Sequence, residues 1–414
     1  MKVVVFTLGC KVNECESDSL IAGLIGKGYE VSDKLEFADI FVVNTCAVTL
    51  EAEKKSRQML ARIKKINPKA KIIFTGCAAQ KNAEQFYKKD GAILVTGTYA
   101  KNKIIDMIDE VGVKIEPPTL VFEELETVKS LRTRTFIKVQ DGCDNMCTYC
   151  IIPYLRGRSR SRSIDSIISE LKVTNPIEAV INGINLSAYN YQGKTLEDLI
   201  ESIKAADIKA RIRLGSLEVN VITDRLLTAL KSLNNFAPHF HLSLQSGSDN
   251  VLKKMNRHYT AEEFAEKVDL IRNYFPSAGI TTDIIVGFPT ETEKDFLDTV
   301  DLIDKVKFSD IHPFIFSPRD GTVAAKWKDI DYKEKKRRID ILIEKKKECK
   351  ENFENAFIGK TLTFLPEEEK NGYVTGYSEN YIRLYVKGEG LKKELIKVKL
   401  LGRFLDGALA EIIN

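Results

Sequence analysis

Strand-like and helix-like stretches alternate along most of this chain, and that alternation restricts it to parallel α/β architectures. Val3–Phe6, Ile40–Val43, Ile72–Phe74 and Ala92–Val95 are short β-rich runs. Each is followed by a helical pattern: Glu14–Lys27, Leu50–Ile66, Asn82–Lys88 and Tyr99–Glu110. Residues 1–115 are therefore expected to form an open parallel sheet. Pro117-Pro118 and the acidic Glu123, Glu124 and Glu126 mark a connector. Residues 129–350 alternate again, with six candidate strands at Thr135–Val139, Ala179–Asn182, Ile212–Leu214, Phe240–Leu242, Thr282–Val286 and Ile311–Phe316. Six repeats fit an open or partial (β/α)6 barrel better than a complete eightfold one. Tyr332–Phe357 reads as a charged helix with a solvated basic face. Residues 355–414 turn to short alternating runs broken by Gly and Asn, which predicts a small antiparallel β-barrel.

The cysteines carry the chemistry. Cys143-Asp-Asn-Met-Cys147-Thr-Tyr-Cys150 directly follows the strand-like run Thr135–Val139. Three thiolates fill three corners of a four-iron cluster and leave one iron open to a small molecule. Structural zinc wants a fourth ligand, and no other Cys or His lies within fifty residues on either side. Cys10, Cys46 and Cys77 each fall just beyond a predicted strand. The carboxyl ends of parallel strands form the ligand edge of such a sheet, so these three thiols are expected to converge. Three small buried core residues are the alternative. The same edge rule nominates Asn182, Gly183, Ser243, Gln245 and Asp283 as contacts to a small-molecule cofactor.

A net charge of +4 gives no global nucleic-acid signature, so any basic surface must be local. The longest apolar runs are far shorter than a membrane span, and the first strand is a poor match to an export signal. A cytoplasmic protein without a membrane partner is expected, with its cysteines serving metal or catalysis rather than disulfides. Arg156, Arg158, Arg160 and Arg162 alternate with Gly or Ser after the cysteine loop and are candidates for RNA contact. Tyr373, Tyr377, Tyr381 and Tyr385, interleaved with lysines, suit RNA stacking on the C-terminal barrel.

The Cys143 triplet, Thr7-Leu-Gly-Cys10-Lys-Val-Asn13, Val43-Asn-Thr-Cys46-Ala-Val-Thr49, Thr75-Gly-Cys77-Ala-Ala-Gln80, His241-Leu-Ser-Leu-Gln-Ser-Gly247 and Ile284-Ile-Val-Gly-Phe-Pro-Thr-Glu291 together resemble the methylthiotransferases of the radical S-adenosylmethionine superfamily. The resemblance spans essentially the whole chain. It implies two 4Fe-4S clusters and S-adenosylmethionine as cofactors. Cys143, Cys147 and Cys150 would hold the cluster that cleaves S-adenosylmethionine, with Tyr149 flanking its adenine. Cys10, Cys46 and Cys77 would hold a second cluster that carries the transferred sulfur. The C-terminal barrel would be a TRAM-like RNA-binding module.

Gly-Cys-Lys-Val-Asn at residues 9–13 and Arg156-Gly-Arg-Ser-Arg-Ser161 resemble the bacterial branch acting on threonylcarbamoyladenosine beside the tRNA anticodon. The branches acting on isopentenyladenosine or on a ribosomal-protein aspartate carry other residues after the first cysteine. A non-catalytic iron–sulfur RNA-binding protein is the alternative from a different class. The resemblance implies tRNA as partner and an electron donor, either a protein or a small reductant; a monomer is expected. Because the threonylcarbamoyl group ends in a carboxylate, Arg158 or Arg160 is expected to read it.

Overall fold

The computed structural model describes residues 1–125 and 133–413, with the side chains of residues 88–90 left aside. Glu126 of the acidic run and the expected domain start at residue 129 lie outside the described residues. The N-terminal unit is a six-stranded, all-parallel sheet in the spatial order Glu30–Ser32, Lys2–Thr7, Ile40–Thr45, Lys71–Gly76, Leu94–Thr96, Gly112–Lys114. Its middle strands are buried on both faces, as their continuous Val, Ile and Phe runs require. The two edge strands, three residues each, carry no alternation long enough to be read from sequence. Tyr99–Glu110 supplies only a short 3-10 turn, Lys101–Ile105, and not the expected helix.

Six parallel strands build the central unit: Arg134–Asp141, Glu178–Gly183, Arg211–Leu214, His239–Gln245, Gly279–Val286 and Asp310–Ile315. They form two sheets hinged at a single bridge between Ile212 and Phe236, so the barrel stays open between its first and last strands. Three of the outer helices begin with a threonine that caps the helix and an acidic residue three positions on: Thr195 with Asp198, Thr260 with Glu263, Thr292 with Asp295. Each pair satisfies orphan amides reciprocally, which fixes where the helix starts. The N-terminal helix Lys11–Gly26 packs against Arg134–Asp141 and Glu178–Gly183. No helix among the described residues is long and apolar enough to cross a membrane.

The C-terminal strands Thr361–Lys370, Tyr373–Ser378, Arg383–Lys387, Ile396–Phe404 and Gly407–Ile412 close into a barrel. Its pairs are antiparallel except for Arg383–Lys387 with Gly407–Ile412, which run parallel. This barrel docks under the amino ends of the central strands. Arg211 donates to the Thr363 carbonyl at 3.0 Å, and Arg213 donates to the carbonyls of Glu379 and Ser378 at 3.0 and 3.1 Å. Both guanidiniums share the buried Glu178 carboxylate. Burial opposes that charge, but Arg213 and Arg211 outweigh it and hold Glu178 at about 2.

Glu178→Gln is expected to leave two buried arginines without their anion and to destabilise the protein by about 3 kcal/mol or more. Denaturant titration with the wild type alongside measures it. In the wild type, the Glu178 contribution is complete above the unfolded value of about 4.3 and is lost as pH falls through about 2.

Candidate active site

The strand order of the N-terminal sheet reverses between Lys2–Thr7 and Ile40–Thr45, because the second strand lies on one side of the first and the later strands lie on the other. Ligands bind at such switch points, beyond the carboxyl ends of the strands. Cys10 and Cys46 sit there, and Cys77 follows the next strand, Lys71–Gly76. Two glycines let the three loops close on one another. Gly9 has φ +107°, and an added Cβ would meet the Cys46 Cβ at 2.6 Å and its sulfur at 2.7 Å. Gly76 has φ +94°, and an added Cβ would meet Asn44 Oδ1 and the Thr45 carbonyl at 2.5 Å. Asn13 stitches the loops together by donating to the carbonyls of Leu8 and Thr45 at 2.8 and 3.0 Å. Cys10 caps a sixteen-residue helix, whose positive end favours a thiolate. Burial pushes the Cys46 thiol up to about 12 and raises that of Cys10. Ligation by a metal reverses that preference, because only the thiolate binds.

Beneath this triplet lies a buried ion network. Arg156 donates to Cys77 Sγ at 3.4 Å and to Asn13 Oδ1 at 2.9 Å. It also pairs with Glu16 at 2.7 Å and Asp141 at 3.1 Å. Lys138 joins the same two carboxylates at 2.8 and 2.7 Å, Lys101 pairs with Glu16, and Arg160 pairs with Asp141 at 2.8 Å. Burial opposes both carboxylate charges. Arg156, Lys101 and Lys138 nevertheless hold Glu16 well below the usual range, and Lys138, Arg156 and Arg160 hold Asp141 at about 2. The ion-paired set thus counts two carboxylates against four cations. That positive surplus suits anions, and thiolates ligating a cluster would supply them. The donor set, the glycine-lined approach and the charge all fit an iron–sulfur group on Cys10, Cys46 and Cys77.

The second triplet occupies the loop after Arg134–Asp141. Its thiols are partly exposed. Asn185 Nδ2 lies 3.7 Å from Cys143 Sγ, and Arg257 donates to Cys147 Sγ at 3.5 Å. Arg257 is itself paired with Glu218 at 2.8 Å. Burial lifts the Cys150 thiol to about 12. A cavity of roughly 500 Å³ lies beside this loop, lined by Asn145, Asn185, Glu218 and neighbours. From Cys150 the chain runs straight into the helix Ile152–Arg156, which packs on the helix Cys77–Lys81. At 1.5 Å per residue, the six positions from Cys150 to Arg156, whose guanidinium reaches Cys77 Sγ, span about 9 Å.

A cavity of about 650 Å³ opens where the three units meet. Gly9 and Lys11 line it from the N-terminal unit, His241, Asp283 and His312 from the central barrel, and Tyr377, Tyr381 and Arg383 from the C-terminal barrel. Lys11 is half-buried, and burial lowers its pKa. His241 Nε2 lies 3.3 Å from Asp283 Oδ2. Tyr381 stacks on His239 at 4.3 Å and on Tyr377 at 4.5 Å.

The expected cofactor contacts divide in two. Asn182, Gly183, Ser243 and Gln245 lie at or near carboxyl ends of central strands. Asn182 Nδ2 is buried without a hydrogen-bond partner among the described residues, an orphaned donor that a ligand could satisfy. The Ser243 carbonyl already accepts from Tyr259 at 2.7 Å. Asp283 sits deeper, within Gly279–Val286, on the lower cavity. Tyr149 packs edge-on against Phe288 at 6.4 Å.

The arginine series requires correction. Arg156, Arg160 and Arg162 are buried and bound to carboxylates, Arg162 to Glu124 and Glu170, so they cannot grip RNA and Arg160 cannot read a substrate carboxylate. Only Arg158 is exposed, with a loose contact to Asp144 at 3.4 Å. The tyrosines expected to stack on RNA are also partly spent: Tyr385 is buried, bonded to Asp406, and Tyr373 packs on Phe404. Arg257, Glu218, Asn185 and Glu16 were not anticipated. Glu16 left no trace in the sequence, where it stands between two other carboxylates, Glu14 and Asp18.

A family model described as the radical SAM superfamily matches residues 137–303, and one described as an uncharacterized protein family, UPF0004, matches residues 2–97. The chain is 40% identical over 396 residues to the threonylcarbamoyladenosine tRNA methylthiotransferase MtaB of Thermotoga maritima, covering 92% of this chain and 91% of the relative. The protein of the same name from Bacillus subtilis is 35% identical over 430 residues, covering 97% and 94%. A tRNA-2-methylthio-N(6)-dimethylallyladenosine synthase from Thermotoga petrophila is 33% identical over 433 residues, covering 100% and 95%. Among solved structures, the radical S-adenosylmethionine methyltransferase TsrM from Kitasatospora setae superposes with a TM-score of 0.56 at 14% identity, over 78% of this chain and 74% of that one, a likeness of fold.

Gly9→Ala is expected to displace the Cys46 side chain. Anaerobic reconstitution should then load less iron than in the wild type by one cluster's worth, with the Cys143 triplet still filled. Iron and sulfide assays read the result, and unchanged loading would contradict the close-packed geometry.

Proposed function

The chain belongs to the radical S-adenosylmethionine methylthiotransferases, and from that premise we propose that it converts N6-threonylcarbamoyladenosine next to the tRNA anticodon to its 2-methylthio derivative. One observation carries the reading: all six cysteines gather beyond the carboxyl ends of two parallel sheets, and one short helix, Ile152–Arg156, joins their loops. Full-length relatives named for this reaction support the substrate. In this reading residues 1–115 hold the second cluster, 129–350 hold the first cluster and S-adenosylmethionine, and 355–414 bind tRNA. The protein works as a monomer in the cytoplasm, with a reductant protein or small molecule as electron source.

Cys143, Cys147 and Cys150 would hold a cluster that supplies reducing electrons for the cleavage of S-adenosylmethionine, and Cys10, Cys46 and Cys77 would hold one that supplies transferable sulfur. The protein's own groups hold these centres and tune them. Arg156 donates to Cys77 Sγ, Arg257 to Cys147 Sγ and Asn185 toward Cys143 Sγ. Hydrogen bonds to sulfur and nearby positive charge both shift a cluster's potential upward. Asn182 and the neighbouring strand ends would hold S-adenosylmethionine, near the loop that carries Tyr149. The C2–H of adenine is not acidic, so no side-chain base is assigned to its removal. The large cavity shields the reacting base from water. Exposed Lys387, Lys392, Lys393, Lys397 and Lys399 give the C-terminal barrel an RNA-facing charge, and Arg158 adds one near the cysteine loop.

The reconstituted protein, incubated without oxygen with S-adenosylmethionine, a strong reductant and threonylcarbamoylated tRNA, should yield 5′-deoxyadenosine and a methylthio-threonylcarbamoyl nucleoside by mass spectrometry of digested RNA. Cys46→Ala should keep S-adenosylmethionine cleavage and lose the methylthio product. Product at normal yield from that variant would remove the second-cluster role. Arg158→Ala should weaken tRNA binding evenly across modified and unmodified tRNA and lower the salt slope by about one.

A further inference from the structure

We infer that Lys11 is the residue that recognises the carboxylate of the threonylcarbamoyl group. The inference deepens the substrate reading above and rests on it. Lys11 follows Cys10, opens the helix Lys11–Gly26 and lines the 650 Å³ cavity, a size suited to a nucleoside.

The charges of that cavity single it out. Each carboxylate in the lining already has a cation or an imidazole: Asp283 has His241 at 3.3 Å, Asp310 has Lys346 at 2.7 Å, Glu354 has Arg403 at 3.5 Å, and Asp406 has Arg383 at 3.0 Å. Lys350, the remaining lining cation, leans on Glu354 at 3.9 Å and also donates to the Asp406 carbonyl. Lys11 alone among the lining lysines and arginines makes no ion pair and no hydrogen bond with any described residue. Glu178, which feels its field, is already held by Arg211 and Arg213. A half-buried ammonium without an anion is unfavourable, and a ligand carboxylate would offset that cost.

Substrate chemistry points to the same side chain. In adenine, the C2 that takes the methylthio group and the C6 that bears the N6 substituent both flank N1. A group that reads the N6 substituent therefore belongs close to the centre that delivers to C2. Lys11 is the immediate chain neighbour of Cys10. A dimethylallyl group on the same nitrogen carries no charge and leaves the lysine uncompensated, so the residue also discriminates against it. Arg158, the remaining exposed arginine of the cysteine-loop series, does not line this cavity.

The test uses full-length, cluster-reconstituted protein and three anticodon stem-loops. One bears threonylcarbamoyladenosine, one its neutral carboxamide analogue, and one plain adenosine. Affinity is read by fluorescence anisotropy, and turnover in parallel. The wild type should prefer the acid over the carboxamide by roughly tenfold or more. Lys11→Met should bind acid and carboxamide alike, with unchanged affinity for the carboxamide and unchanged iron and sulfide content. Lys11→Arg should restore most of the preference. A Lys11→Met protein that keeps the wild-type preference overturns the assignment and leaves the substrate reading intact, as does a wild type that favours the modified stem-loops without distinguishing acid from carboxamide. A wild type that does not distinguish threonylcarbamoyladenosine from plain adenosine overturns both.

Discussion

Arg156 is the interaction on which the rest of this structure depends. Its guanidinium reaches Glu16 on the first helix, Asp141 at the end of the first barrel strand, Asn13 in the Cys10 loop and the sulfur of Cys77. Those contacts join two folding units at the one place where both present cysteines. A buried charge is stable only when it is paired and its hydrogen bonds are filled, and removing a single partner costs about 3–5 kcal/mol. The network therefore admits one relative placement of the two units. It also leaves positive charge over, next to three thiols, of which burial alone would keep Cys10 and Cys46 protonated. The same charges that hold the units together prepare the N-terminal triplet for an anionic ligand set.

The placement has a functional consequence. Ile152–Arg156 is both the continuation of the Cys143 loop and the element that carries Arg156 to Cys77. The two triplets cannot move apart without breaking the network. A site that cleaves one molecule of cofactor and delivers sulfur to a base needs both centres to address the same substrate. The open side of the barrel, covered by the helix Lys11–Gly26 and floored by the C-terminal barrel, supplies a cavity for that base. The C-terminal barrel thus has two duties. Its inner tyrosines pack at the junction, while its lysines face outward.

Much of this was legible in the residues. The threonine-and-acid pairs that fix helix starts at Leu196, Ala261 and Glu293 are written in the sequence, because a cap is a local interaction. The positions of Cys10, Cys46 and Cys77 beyond strands followed from local patterning too, and only the sheet order was needed to bring them together. What the residues concealed were long-range pairings. Arg156, Arg160 and Arg162 look like a solvated basic loop because their partners are remote: Glu16 lies 140 positions upstream of Arg156. The three-residue edge strands were missed because they are held by the neighbouring strand and not by their own propensity. Lys11 was visible as a residue of the Gly-Cys-Lys-Val-Asn stretch, but its lack of an anion is a property of the assembled cavity.

The central claim is that two clusters share one site. Electron paramagnetic resonance of the fully reconstituted, reduced protein tests it most directly, with Cys46→Ala and Cys147→Ala as the two single-cluster references. The account predicts a spectrum broadened and split by mutual magnetic coupling that neither reference shows. A wild-type spectrum equal to the sum of the two references, with both clusters reduced, would mean that the triplets stand too far apart to act on one substrate.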